Sequence, residues 1–202
     1  MDMTPQETIA YIGRMLFERR LTDFAGGNIS LRVGDEIFIS PRHSGAKQHW
    51  NIDPQTVVHG SILTGEVLDH PSFSREGKAH LEVYRTFPAA AAIIHAHPIY
   101  VMPFCSAGRP IEPVLEATDK FGTVEVLPYA PAHSAELAAV IRDGIRPKEE
   151  LISRFAAPIL LARHGIFVVS GDIYRCLDTV ERISWNAWCI LARGLLPPAA
   201  LA

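Results

Sequence analysis

The chain has 202 residues, 48% hydrophobic and 20% charged, which is apolar material enough to bury one sizeable core, so a single folded unit spanning 1–202 is expected. Nineteen Lys and Arg against 22 Asp and Glu leave a net charge of −3 with the charges scattered, which excludes the basic stripe needed for nucleic acid or an anionic membrane. No apolar run of membrane-spanning length and no basic-then-apolar leader is seen, and Cys105, Cys176 and Cys189 are too widely spaced for a disulfide framework or a thiolate zinc cluster; the expectation is a cytoplasmic protein with its cysteines in the core.

Thr4-Pro5 with Glu7 marks a helix start, and Ile9, Ile12, Leu16 and Phe17 share one side of a helix running to about Arg20. Gly26-Gly27-Asn28 interrupts, then alternating Ile29, Leu31 and Val33, a turn at Gly34-Asp35 and the stretch Glu36 to Ser40 read as a hairpin. Residues 41–51 (PRHSGAKQHWN) read as a long polar loop, and loops of that length in compact domains are usually functional. A strand follows around Thr56 to Leu63, ended by Thr64-Gly65.

Leu81, Tyr84 and Phe87 set the apolar side of a helix that Ser72 or Ser74 caps and Pro88 stops. Ala89 to Ala96 is a continuous buried strand, emerging at His95-Ala96-His97-Pro98, with a short helix after Pro98. A short strand at 124–129, a helix from Ser134 to Ile145 and two apolar strands between Pro158 and Ser170, broken at His164-Gly165, come next. Asp172 caps a long helix, patterned by Leu177, Val180, Ile183, Ala187 and Leu191, that Gly194 and Pro197 end. Because hairpins and helices are mixed instead of alternating strand by helix, the order predicts an α/β fold with a largely antiparallel sheet covered by helices. No Gly-x-Gly-x-x-Gly turn or Walker-type loop anchors a nucleotide fold.

His95 and His97, separated by one residue at a strand end, project to the same side; that is metal-ligand spacing, and equally the spacing of two polar residues capping a strand. His164, where a second apolar strand breaks, is a candidate third ligand, since three imidazoles with one open position make a catalytic zinc site. Glu76 precedes His80 by four residues, so the two share a helix face: Glu76 is a fourth ligand, a base, or a solvated helix-start carboxylate, and His80 packs behind it. Gly26-Gly27-Asn28, Ser44-Gly45 and Ser74-Arg75 each offer donors to an anion and each is also ordinary turn or cap chemistry.

Taken together, Gly27-Asn28-Ile29-Ser30, the run from Ser74 through Glu76 to His80, Ile94-His95-Ala96-His97, Pro128-Tyr129-Ala130, Arg163-His164-Gly165 and Ser170-Gly171 occur in an order that resembles the class II aldolase/adducin family, in its fuculose-1-phosphate aldolase-like branch. The resemblance spans about Ile9 to Ala192 and implies a central antiparallel sheet between helices, in a homotetramer with active sites at subunit interfaces. It implies His95, His97 and His164 as ligands of zinc, with manganese or cobalt as alternatives, and Glu76 as the carboxylate that touches the metal and moves the proton. It implies Asn28, Ser44, Gly45 and Ser74 as contacts of the substrate phosphate. The implied activity is a lyase that cleaves a carbon–carbon bond of a phosphorylated hydroxyketone through a metal-stabilised enediolate.

Two departures from the family pattern bear on substrate. Arg75 stands where a serine is common and is able to clamp a carboxylate or phosphate through two parallel bonds. The tyrosines that sugar-phosphate aldolases use on the aldehyde have no match here, with Glu116 near the place of one. Alternatives are therefore decarboxylation of a keto or dihydroxy-aromatic acid, sugar-phosphate epimerisation, and a non-catalytic metal-binding scaffold.

Overall fold

The structure is a computed structural model that describes residues 3–195; Pro197, expected to help end the last helix, lies outside them. Seven strands form one sheet in the order β3-β2-β1-β4-β7-β6-β5, with β1 Asn28–Val33, β2 Glu36–Ile39, β3 Val58–Ser61, β4 Ala92–Ala96, β5 Val126–Leu127, β6 Ala157–Leu161 and β7 Gly165–Ser170. Every neighbouring pair is antiparallel except β5 with β6, so the mainly antiparallel sheet expected from the order of elements is present. The central strands β4, β6 and β7 are buried along their whole length, which is why they read as unbroken apolar runs instead of alternating ones.

Side-chain alternation divides the core into two layers. On one face Ile29, Ile94, Ile166 and Val168 pack against Ile9, Ile12 and Leu16 of helix α1 (Pro5–Glu18) and Val180, Ile183 and Ala187 of the long helix α8 (Ile173–Ala192). On the other, Ile37, Ile39, Ile93, Ile159 and Phe167 pack against Leu81 and Tyr84 of α3 (Gly77–Thr86) and Leu137 and Ile141 of α6 (Ala135–Ile145), which also pack on each other. The result is helix, sheet, helix. Thr4 caps α1 through a reciprocal box with Glu7, and Asp172 caps α8 by accepting from the Arg175 amide, as their positions indicate. Among the described residues no helix is long and apolar enough to cross a membrane.

Four expectations are corrected. The polar segment 41–51 contains a helical turn, α2 (Ser44–Gln48), entered and left through left-handed His43 and His49. So short a helix has no intrinsic stability and is held by its neighbours: a side chain at Gly45 would lie 2.8 Å from the Phe24 carbonyl, and Trp50 is buried beneath. Neither Ser72 nor Ser74 caps α3; its first position is preceded by Glu76 with no side-chain cap bond, because the chain folds tightly around the Phe73 ring and the Ser74 carbonyl accepts from Gly77. Short helices α4 (Met102–Ala107), α5 (Glu116–Asp119) and α7 (Glu149–Arg154) also occur, of which only the first was legible, after Pro98. Cys105 and Cys176 are buried as expected, but Cys189 is only half-buried on α8.

Candidate functional site

β4 lies between β1 and β7, with His95 paired opposite Asn28 on one side and Phe167 on the other; His97 follows just past the strand end. His164 sits in the three-residue turn joining β6 to β7, whose middle residue, Arg163, is left-handed at φ 61°. This hairpin brings the third imidazole to the other two, with ring centroids of His95 4.7 Å from those of His164 and 5.0 Å from those of His97. One nitrogen from each ring lies within 4.8 Å of the others. The approach depends on Gly165: a Cβ there would sit 2.5 Å from the Ala96 carbonyl, 2.7 Å from His97 Cδ2 and 3.1 Å from His95 Cε1.

Glu76, at the start of α3, reaches the same point, with Oε1 3.0 Å from His164 Nε2 and Oε2 3.3 Å from His95 Nε2. Asn28 Nδ2 donates to Glu76 Oε2 at 2.8 Å, so that amide holds the carboxylate. Burial alone would raise the Glu76 pKa, but the surrounding imidazoles of His95 and His164 and the Asn28 bond outweigh it and keep the group well below its ordinary value, hence ionised. Burial pushes His95 down to about 3, so it is neutral near pH 7; its Nδ1 lies 2.9 Å from the Ile166 carbonyl, a contact that claims the ring proton and leaves the Nε2 lone pair facing the cluster. Glu76 Oε1 and Asn28 Oδ1 are buried without a hydrogen-bond partner. Three imidazole nitrogens and one carboxylate oxygen, with orphaned oxygens beside them, are the donor set of a divalent transition metal, and the residues fit such an ion.

The cluster forms the floor of a pocket of about 250 Å³. Asn28, Ser44, Gly45, Ser74, Arg75 and Glu76 all line it, together with His97 and His164, while His95 lies buried behind. The hydroxyl and amide of Ser44 both point at the Pro41 carbonyl. Three further lining residues escaped the sequence reading: Arg42, His43 and His133. His133 Nδ1 is 3.7 Å from Glu76 Oε1, and its backbone is held left-handed at φ 68°, an uncommon conformation for histidine. In the sequence it looks like an ordinary loop residue before the Ser134 cap. Arg42 and His43 were hidden inside the segment read as a loop; a guanidinium beside an imidazole in a polar stretch was the available signal.

The model of the class II aldolase and adducin N-terminal domain matches residues 7–190. The chain belongs to this family. Among its relatives, the 3-oxo-tetronate 4-phosphate decarboxylase of Haemophilus influenzae is 27% identical over 197 residues, covering 92% of this chain and 86% of the relative. An L-fuculose phosphate aldolase of Methanococcus maripaludis is 29% identical over 181 residues, covering 86% and 90%. A solved L-fuculose 1-phosphate aldolase superposes with a TM-score of 0.80 at 24% identity, over 99% of this chain and 93% of that one, a likeness that speaks to the class II aldolase fold. Family members thus include aldolases and decarboxylases.

Behind the class II aldolase pocket, His80 of α3 is fully buried, with Nδ1 2.6 Å from Ser30 Oγ, which in turn lies 2.7 Å from the Tyr84 hydroxyl. Burial pushes the His80 pKa down to about 3. Between that value and the unfolded value near 6.5 the unfolded chain takes up a proton that the folded one refuses, so stability falls as pH drops, by at most about 1.4 kcal/mol per pH unit from this group. Above about 6.5 neither state is protonated and the dependence vanishes. In chelator-treated protein the urea midpoint should therefore fall less between pH 7.5 and 5.5 for His80→Gln, which keeps a polar partner for Ser30, than for the native chain; equal falls would contradict the assignment.

Proposed function

We propose that this chain is a zinc-dependent class II aldolase, a lyase that cleaves a carbon–carbon bond beside the carbonyl of a phosphorylated hydroxyketone. The convergence of His95, His97 and His164 on one point, with the Glu76 carboxylate opposite, carries the reading. A divalent metal held by the three imidazoles, when bound, would draw off negative charge as it develops beside the carbonyl. Glu76, ionised and held by Asn28, takes a proton from the substrate and returns it to the carbon left behind. Arg42 and Arg75, with Ser74 and the Gly45 turn, bind the phosphate end at the pocket rim. His133, beside Glu76, touches the other end of the substrate.

A second reading, decarboxylation of a phosphorylated oxo acid, is favoured by one observation: Arg42 and Arg75 both line the pocket, enough for a phosphate and a carboxylate in one molecule. Loss of CO₂ leaves the same kind of carbanion beside a carbonyl. Phe24, Ile99, Trp185 and Trp188 are exposed large apolar side chains of the kind that a homotetramer of identical copies would cover, and the class II aldolase reading carries with it a cytoplasmic setting.

The test is a screen of zinc-, manganese- and cobalt-loaded protein against ketose 1-phosphates and phosphorylated oxo acids, with products identified by mass. Aldolase action yields an aldehyde and a smaller phosphorylated ketone; decarboxylation yields CO₂. Arg75→Ser should raise KM for an oxo acid phosphate at least tenfold while changing KM for a ketose phosphate less, if Arg75 serves the carboxylate. Retention of both metal and full turnover in His95→Ala or His164→Ala would overturn the proposal altogether.

A further inference from the structure

His95 and His97 lie two residues apart, yet their outward nitrogens are held by different means. His95 Nδ1 meets the Ile166 carbonyl of the neighbouring strand, a partner the sheet supplies. His97 has left the strand, and its Nδ1 instead lies 3.1 Å from Oδ1 of Asp23, a residue 74 positions earlier in the connection between α1 and β1. Asp23 is itself fixed. Its Oδ1 also accepts from the backbone amides of Ala25 at 2.9 Å and Gly26 at 3.3 Å, a local turn that aims the carboxylate, and its carbonyl accepts from the indole Nε1 of buried Trp50 at 2.7 Å. Gly26 brings that turn against the ring, since a Cβ there would lie 2.7 Å from His97 Cε1.

We infer that Asp23 is a positioning residue: its carboxylate accepts the Nδ1 proton of His97 and thereby keeps the Nε2 lone pair aimed at the metal position. A neutral imidazole has one ring proton, which in water prefers Nε2, so a ligand outside regular structure that binds through Nε2 needs an acceptor at Nδ1 to fix both tautomer and rotation. His97 Nε2 lies 3.3 Å from His95 Nε2, on the side where the three rings converge. The Asp23 side chain is 50% exposed, so water screens its charge and its effect is chiefly orientation. The inference rests on the reading that the three imidazoles bind a metal.

The experiment combines zinc affinity, by competition with a chromophoric chelator, with nitrogen-15 imidazole spectra of the metal-free protein. Native His97 should be the Nδ1–H tautomer. Asp23→Ala should weaken zinc 10- to 100-fold and move His97 toward the Nε2–H form. Asp23→Asn, which retains an accepting oxygen, should stay within a few-fold of native and keep the tautomer, and Trp50→Phe, which loosens the loop but leaves the carboxylate, should not change the tautomer. An Nε2–H tautomer for His97 in the native protein overturns the inference without any variant, as does an Asp23→Ala affinity within twofold of native. If His95→Ala binds zinc as tightly as the native chain, the metal reading itself has failed, and that outcome is distinct from an Asp23 effect that is absent while the histidine variants lose the ion.

Discussion

Glu76→Gln is expected to lower turnover by about 10²- to 10⁴-fold, the usual contribution of a positioned proton-transfer group, while the protein stays folded and keeps most of its metal. The substitution conserves shape in a position that is 8% exposed, and the glutamine oxygen can still accept from Asn28 Nδ2 as Glu76 Oε2 does. What is lost is the ionised oxygen that the imidazoles and the Asn28 amide hold in its charged form against the opposing effect of burial. His95→Ala, His97→Ala or His164→Ala should behave in the opposite sense and lose the ion first, with activity following it. Metal content by atomic absorption beside single-turnover rates separates the two classes. Native-like turnover in Glu76→Gln would remove this carboxylate from the chemistry.

Gly165→Ala is the second large effect, and it acts through a single added methyl. The added methyl would lie 2.5 Å from the Ala96 carbonyl and 2.7 Å from His97 Cδ2, and neither can move freely: Ala96 is paired with Ile166 across β4 and β7, and His97 is a candidate ligand. The β6–β7 turn must back away, taking His164 with it. We expect a stability loss of about 1–3 kcal/mol, the range for overpacking a close-packed interior, and zinc affinity reduced at least tenfold. Chemical denaturation and the chelator competition read the two quantities on one preparation. A variant as stable and as tight as the native protein would mean that the hairpin does not need this approach.

Much of the architecture was legible because local chemistry and burial agree. The helix starts at Thr4, Ser134 and Asp172 carry oxygen caps on the amides that need them, and β4, β6 and β7 are buried throughout and, apart from His95 and Ser170, apolar, because helices cover both faces. The three histidines were legible for a related reason: an imidazole within or at the end of an otherwise apolar strand has no apolar explanation. Where the sequence misled, a local pattern had been overridden. Residues 41–51 have turn composition, and the helix they form around Ser44 exists only against the Phe24 carbonyl and buried Trp50.

The amino-acid order thus determined the class of fold, the two-sided core and the choice of His95, His97 and His164 as the imidazoles that the fold brings together, since each is written in periodicity or in a residue type out of place. Which side chains hold those rings was decided only in three dimensions. Asp23 beside His97 and His133 at the rim come from segments whose local sequence is ordinary turn material, and Asn28, which the sequence offered as an anion contact, gave no local sign of its bond to Glu76. Their roles arise from loop closures across tens of residues, and a closure of that length leaves no periodic trace in the chain.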